Sequence, residues 1–334
     1  MAASPVFHHL MSLTSEHGLF EHALFDEPRY AHGYTTDDNA RALVVASRAL
    51  RTDLPSVGIE PYLDFVLSAE VPGGWHNRMT QSGEWADQRG PDDTHGRALW
   101  GLAEVAASGI EDLAILDALL AGAVTFESTY SRAVSYAVFG AASLVTAGVL
   151  VDVMEDFLLA VAKRLARPEA GVWMWPEPRL TYDNARLPEA LITAGSVLGD
   201  DAMADSGIRL LSWLIETESG DHGFSFTPAT GRGPEDAKPA FDQQPIEAWA
   251  MADACYAAMM MQPDAGWHEP LADAAEWFLG KNDAGLELYD PVTGAGFDGL
   301  EGEDVNQNRG AESTLAALGA LIRWKQTTRR DPVS

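Results

Sequence analysis

The sequence predicts an all-α protein folded as an (α/α)6 toroid, six helical hairpins whose inner and outer helices form two concentric rings. The first observation is a repeated phrase. Asp37-Asp38-Asn39-Ala40-Arg41-Ala42-Leu43, Asp93-Thr94-His95-Gly96-Arg97-Ala98-Leu99, Asp183-Asn184-Ala185-Arg186, Gln244-Pro245-Ile246-Glu247-Ala248 and Asn308-Arg309-Gly310-Ala311-Glu312 each open an apolar helical stretch with polar, carboxylate-bearing residues. The second is spacing. Arg41 to Arg97 is 56 residues and Arg97 to Arg186 is 89, room for one extra unit that the run from Ser135 to Leu144 supplies; Glu247 and Glu312 follow after 61 and 65. Units averaging about 55 residues exceed the common solenoid repeats. The third is alternation with ordinary amphipathic helices, expected at 5–17, 58–69, 111–127, 151–166, 201–217 and 269–280.

The motif-bearing helices are rich in Ala and other small residues, which suits an inner ring packed on several sides, while the alternates expose Glu, Asp and Lys. A glycine followed closely by an aromatic precedes most inner helices, at Gly74-Trp75, Gly171-Val172-Trp173, Gly223-Phe224 and Gly296-Phe297, suiting short extended segments at turns. With no linker tract and no alternating strand series, residues 1–334 read as one domain.

Bulk properties bound the function. A formal charge of −28, with 22 basic residues facing 50 acidic ones, argues against nucleic acid and anionic membranes as partners. Cys255 is the only cysteine, so no disulfide framework forms, and beside Ala254 and Ala257 it reads as core rather than nucleophile. That composition, and the lack of a basic-then-apolar leader in Met1 to Leu10, points to a cytoplasmic protein. The uncharged run from Ala133 to Val151 has about the length of a membrane span, yet a helix buried on all sides explains its apolarity. No cofactor is expected. Adjacent His8 and His9 do not make a metal site, and the acidic Asp298 to Asp304 loop fails the EF-hand spacing and reads as solvated.

Recurring acids at helix starts are expected to converge on one polar cup. Thr35-Thr36 reads as a helix N-cap, and first-turn acids such as Asp37 and Asp38 suit the helix dipole on that ground alone. Recurrence adds a functional meaning: aligning Arg41 on Arg97 sets Asp37 opposite Asp93, and aligning it on Arg186 sets Asp38 opposite Asp183. Glu247 follows Gln244 and Pro245 in capping-box fashion, and Glu312 lies among Gly310, Ala311 and Ser313, where a charge needs a polar cavity to face. Glycoside hydrolysis requires two carboxyls, one a proton donor and one a base or nucleophile. The inner helix starts offer several such pairs among Asp37, Asp38, Asp93, Glu247 and Glu312. Desolvation beside Ile246, Ala248 and Trp249 would make Glu247 the acid, and Asp38, near Asn39 and Arg41, would stay ionised as base.

Rigid aromatic faces that stack on sugars are expected from Trp75, Trp85, Trp173 and Trp175. Beside them, His32, Tyr34, His76, His95, Tyr182, Asp183, Asn184, Gln243 and Gln244 compose a neutral polyol-binding surface, with Arg41, Arg97, Arg186 and Arg309 orienting acids or substrate.

The phrases Gly33-Tyr34-Thr35-Thr36-Asp37-Asp38-Asn39-Ala40-Arg41-Ala42, Asp93 to Trp100 and Gln244 to Ala248 resemble those of bacterial six-hairpin glycosidase-like proteins. Within that group the short acidic chain, actinobacterial in character, is similar to the mycobacterial methylmannose polysaccharide hydrolases. The resemblance implies an endo-acting α-mannosidase on a cytoplasmic polymethylated polysaccharide, with Asp38 and Glu247 at the catalytic positions. Rival functions are a sugar 2-epimerase on the same fold, with His32, His95 or His222 as proton carriers, a non-catalytic carbohydrate-binding toroid, and an isoprenoid cyclase, for which these motifs are too polar. Linkage, stereochemical outcome and homo-oligomerisation stay open.

Overall fold

The computed structural model describes residues 5–52, 54–55 and 57–328, so Met1 to Ser4 of the N-terminal stretch fall outside it. Twelve α-helices run in chain order among the described residues: α1 His8–Ser12, α2 Thr36–Leu50, α3 Glu60–Ser68, α4 Asp92–Ala107, α5 Leu113–Thr125, α6 Ser131–Ala147, α7 Val151–Ala162, α8 Arg186–Leu198, α9 Asp201–Glu218, α10 Pro245–Met261, α11 His268–Glu276 and α12 Ala311–Thr328. The even-numbered helices pack in sequence, α2 on α4 through α10 on α12, and α12 returns to α2, closing an inner ring. The odd-numbered helices pack outside it.

Local chemistry starts these helices where the pattern predicts. Thr35 caps α2, its hydroxyl accepting from the Asp38 amide at 3.1 Å. Asp112 and Asp200 cap α5 and α9 through the amides of Ala114 and Met203. The Ser135 to Leu144 unit is α6, nearly wholly buried in the inner ring, and no helix among the described residues is long and apolar enough to cross a membrane.

The expected 5–17 helix is shorter than its pattern. After Leu13 the chain enters a hairpin pairing Thr14–Ser15 with Gly18–Leu19, turned by Gly18 at φ +129°, where a Cβ would stand 2.7 Å from Asn39 Oδ1. The same outer-helix-then-hairpin unit recurs with Gly74–Trp75 on Glu70–Val71 and Gly223–Phe224 on Ser219–Gly220. Gly171 to Trp173 forms no such strand, and Gly296 makes only a bridge to Tyr289.

Inner-ring helices touch backbone to backbone where residues are small: a Cβ on Gly96 of α4 would lie 2.5 Å from the Ala133 carbonyl of α6. Lower down, the Arg186 guanidinium lies 5.0 Å from the ring centroids of both Trp100 and Trp249. Beneath it Asp253 of α10 accepts from Arg48 of α2 at 2.9 Å, Arg186 of α8 at 2.6 Å and Arg323 of α12 at 2.6 Å. Burial would raise the Asp253 carboxyl, but Arg48, Arg323 and Arg186 hold it well below the usual range.

Two substitutions test this packing by chemical denaturation. Gly96→Ala should destabilise the protein by about 1–3 kcal/mol through overpacking, and unchanged stability would contradict the close approach. Asp253→Asn removes the acid that Arg48, Arg186 and Arg323 share and should cost about 3–5 kcal/mol. Because the Asp253 pKa is depressed on folding, its contribution is present near neutrality and lost as pH falls through the acidic range, so the variant should lose less than wild type on acidification.

Candidate active site

The inner helices start at one end of the ring, and a cavity of about 560 Å³ opens there. It is lined by Thr35, Asp37, Asp38 and Arg41 of the α2 start, Asp93 and Arg97 of α4, Tyr182 ahead of α8, Gln244 at the N-cap of α10, and Gly310, Glu312 and Ser313 at the start of α12. Eight residues expected at the cup, Asp37, Asp38, Arg41, Asp93, Arg97, Tyr182, Gln244 and Glu312, thus meet around one space.

Asp38 is 4% exposed, and its two oxygens take different donors: Arg41 at 2.7 Å and the Thr35 hydroxyl at 2.8 Å. Burial pushes its carboxyl up to about 6, with Arg41 opposing and Glu312 adding to the rise. Arg41 also bonds Glu312 at 2.7 Å, so one guanidinium bridges α2 and α12. Asp37 Oδ2 accepts from Asn77 at 3.3 Å, while its Oδ1 has no hydrogen-bond partner and lies 3.6 Å from Arg97. Arg97 donates to the Tyr136 hydroxyl at 2.6 Å, and that hydroxyl donates to Asp183. Asp93 accepts from the Tyr182 hydroxyl, and burial raises its pKa.

Glu247 does not line the cavity. It is 3% exposed and lies beneath the turn that carries Tyr182, accepting from the backbone amides of Asp183 and Asn184, the latter at 3.0 Å, and from Asn184 Nδ2 at 3.1 Å. Burial, then Glu218 and Asp183, pushes its carboxyl well up. Gln244 makes no side-chain cap bond, so the two do not form a capping box. Those contacts hold Asp183 at φ +49°, a conformation uncommon outside glycine.

The aromatic expectations fall elsewhere. Trp75 is buried with its indole donating to the Val66 carbonyl at 3.0 Å, and His95 packs against it with Nε2 3.0 Å from the Gly122 carbonyl. Trp173 and Trp175 bond Glu177 and pack on Trp213. Tyr34 stacks on Phe20, Trp85 stacks on His76, and Gln243 bonds Asp283 at 2.7 Å. His32 packs edge-on against His22. The Arg309 guanidinium covers the Phe297 ring, and Arg186 lies deep in the ring on Asp183, Glu189 and Asp253. Cys255 is buried, which pushes its thiol up and away from nucleophilic use.

The cavity also holds Glu21, His22, Asn77, Arg78 and Asn306, which the sequence did not mark, and Asp298, which it placed in a solvated loop. Glu21 and Arg78 pair at 2.9 Å from loops far apart in the chain, which no local pattern could foretell. Asp298 opens the acidic loop read as solvated, yet it accepts from the Gly310 amide and the Ser313 hydroxyl, both at 2.7 Å, and so tethers the start of α12. Among the described residues no cluster of three or more His, Cys, Asp or Glu could hold a metal ion.

No family model matches the chain, and no curated protein matches it. Solved structures do. A sugar epimerase from a ruminal bacterium matches with TM-score 0.70 at 13% identity, covering 99% of this chain and 98% of that one. A D-mannose isomerase matches with TM-score 0.72 at 10% identity, over 96% and 95%. An inactive α-1,6-mannanase from a Salegentibacter species, with two aspartates changed to asparagine and bound to α-1,6-mannotriose, matches with TM-score 0.62 at 10% identity, over 94% of each chain. At such identities the likeness establishes the (α/α)6 toroid fold.

The Asp38 environment makes a direct prediction. Arg41→Gln removes the cation opposing burial, so the Asp38 carboxyl should titrate above its value of about 6. Carbon-detected NMR titration of the two proteins checks this, and an unmoved or lowered midpoint would contradict it.

Proposed function

We propose that this protein is a glycoside hydrolase acting on a neutral oligo- or polysaccharide of α-linked mannose. The observation that carries the proposal is the chemistry of the cup: carboxyls from α2, α4 and α12 face one cavity, Asp38 with a pKa near 6, and His22 is the lone imidazole among its lining residues. A sugar 2-epimerase would call on paired proton carriers. His95 faces the Gly122 carbonyl instead, and His222 lines a separate cavity toward the outer ring.

Asp38, largely ionised at neutral pH, takes a proton from the attacking water, with Arg41 and the Thr35 hydroxyl fixing its orientation. Asp93 ranks ahead of Glu247 as the donor to the leaving oxygen, because it combines a raised pKa with a place on the cavity wall. Glu247 becomes a positioning residue, holding the Tyr182 to Asn184 turn from below. The α-mannanase neighbour supports mannan as the substrate class. The resemblance to methylmannose polysaccharide hydrolases extends it to a cytoplasmic, O-methylated α-mannan cut within the chain.

The test uses purified variants on α-mannans with and without O-methyl groups. Asp38→Asn and Asp93→Asn should each lower kcat by about 10²–10⁴-fold with substrate binding retained. In wild type, kcat/KM should fall as pH drops through about 6, where Asp38 takes up its proton. Glu247→Gln should lower thermal stability and raise KM while leaving both limbs of the pH profile in place. A Glu247→Gln protein that is folded but has lost the basic limb would move the donor role to Glu247, and an active Asp38→Asn would sink the mechanism.

A further inference from the structure

A second cavity adjoins the cup. Its volume is about 490 Å³, and its lining of Pro91, Asp92, Asp93, Tyr130, Ser131, Arg132, Glu177 and Tyr182 shares Pro91, Asp93 and Tyr182 with the first. Both volumes fall in the range of about 300–1,000 Å³ usual for ligand pockets. The Tyr182 side chain, bonded through its hydroxyl to Asp93, is the wall between them.

That wall stands on a fixed base. Arg132 donates to the Tyr182 carbonyl, the Thr181 hydroxyl and Asn184 Oδ1, each at 3.0 Å, while Glu247 accepts the Asn184 amide from below. With the turn tied on two sides, opening the wall is a matter of the Tyr182 ring leaving Asp93, a single side-chain rotation.

The second cavity is built for an uncharged polar ligand. Asp92, Asp93 and Glu177 outnumber Arg132, and Glu177 already takes both Arg132 and the Ser131 hydroxyl, so an anion finds no unpaired cation there. Two aromatic faces border it: Tyr182, 38% exposed, and Tyr130, 70% exposed. Exposed phenol rings beside carboxylates and a hydroxyl are the surfaces on which a sugar ring stacks and bonds.

We propose that this cavity is a further sugar subsite, and that a substrate chain crosses the Asp93–Tyr182 wall to occupy both cavities at once. The inference rests on the hydrolase reading only for what is cut. It puts Asp93 at the junction, so the bond it serves lies between sugars held on either side and cleavage falls within the chain.

The test is binding, not turnover. Linear α-mannooligosaccharides of increasing length are titrated calorimetrically into the Asp38→Asn protein and into the same protein carrying Tyr130→Ala, a change at an exposed side chain that leaves the core intact. Affinity should rise with length until the chain spans both cavities, and Tyr130→Ala should erase roughly 3- to 10-fold of that rise. A flat dependence on length, or a rise untouched by Tyr130→Ala, would overturn the subsite. Length-dependent binding by a wild-type protein that cuts nothing would leave the subsite standing and remove the hydrolase reading; no binding at any length would remove both.

Discussion

Six inner helices begin at the same end of one closed ring, and the rest of the structure follows from that alignment. Each helix start leaves backbone N–H groups without helical partners and carries the positive end of its dipole. Carboxylates therefore collect there, as Asp37, Asp38, Asp93 and Glu312 do. Ring closure also excludes water, so the same acids pay a desolvation cost that lifts Asp38 and Asp93. Arginines one turn along settle the balance: Arg41 on Asp38 and Arg186 on Asp183 are both i,i+3 pairs. The opposite end gathers helix C-termini, where Arg48, Arg51 and Arg323 suit the negative pole and pair with Asp253 and Glu104.

The ring was legible because its signal is repeated. A phrase that recurs in variant form at five of the six inner helix starts, each opening an apolar helix with polar, carboxylate-bearing residues, reflects geometry shared among the hairpins. The acids of α2, α4 and α12 could be placed at a common cup for the same reason. What recurs only in sequence and not in direction misled: Trp75 turns onto the end of α3, and Trp175 turns onto Glu177 of its own loop and Trp213 of α9. A loop position does not say which way a side chain turns. Glu247 shares its helix start with Gln244, yet Gln244 is the N-cap, extended at φ −103° and ψ 139°, so helical periodicity does not set its direction, and only Gln244 reaches the cavity. Contacts between distant loops, such as Glu21 with Arg78, leave no periodic trace at all.

The layers along the ring axis divide the labour. Acids at the open end meet the cavity, Arg97, Tyr136 and Asp183 form a polar layer behind them, and the Trp100–Arg186–Trp249 stack seals the centre. The sealed centre gives the acids a fixed geometry, and Tyr182 above it borders both cavities.

Hydrolysis by cup carboxylates is the central claim, and product masses in heavy water test it most directly. α-Mannooligosaccharides incubated with the protein in deuterated water should yield chains shortened by whole sugar units with no deuterium bound to carbon. Full-length sugars, either unchanged or heavier by one carbon-bound deuterium, would contradict it, the heavier product pointing to epimerisation on the same fold.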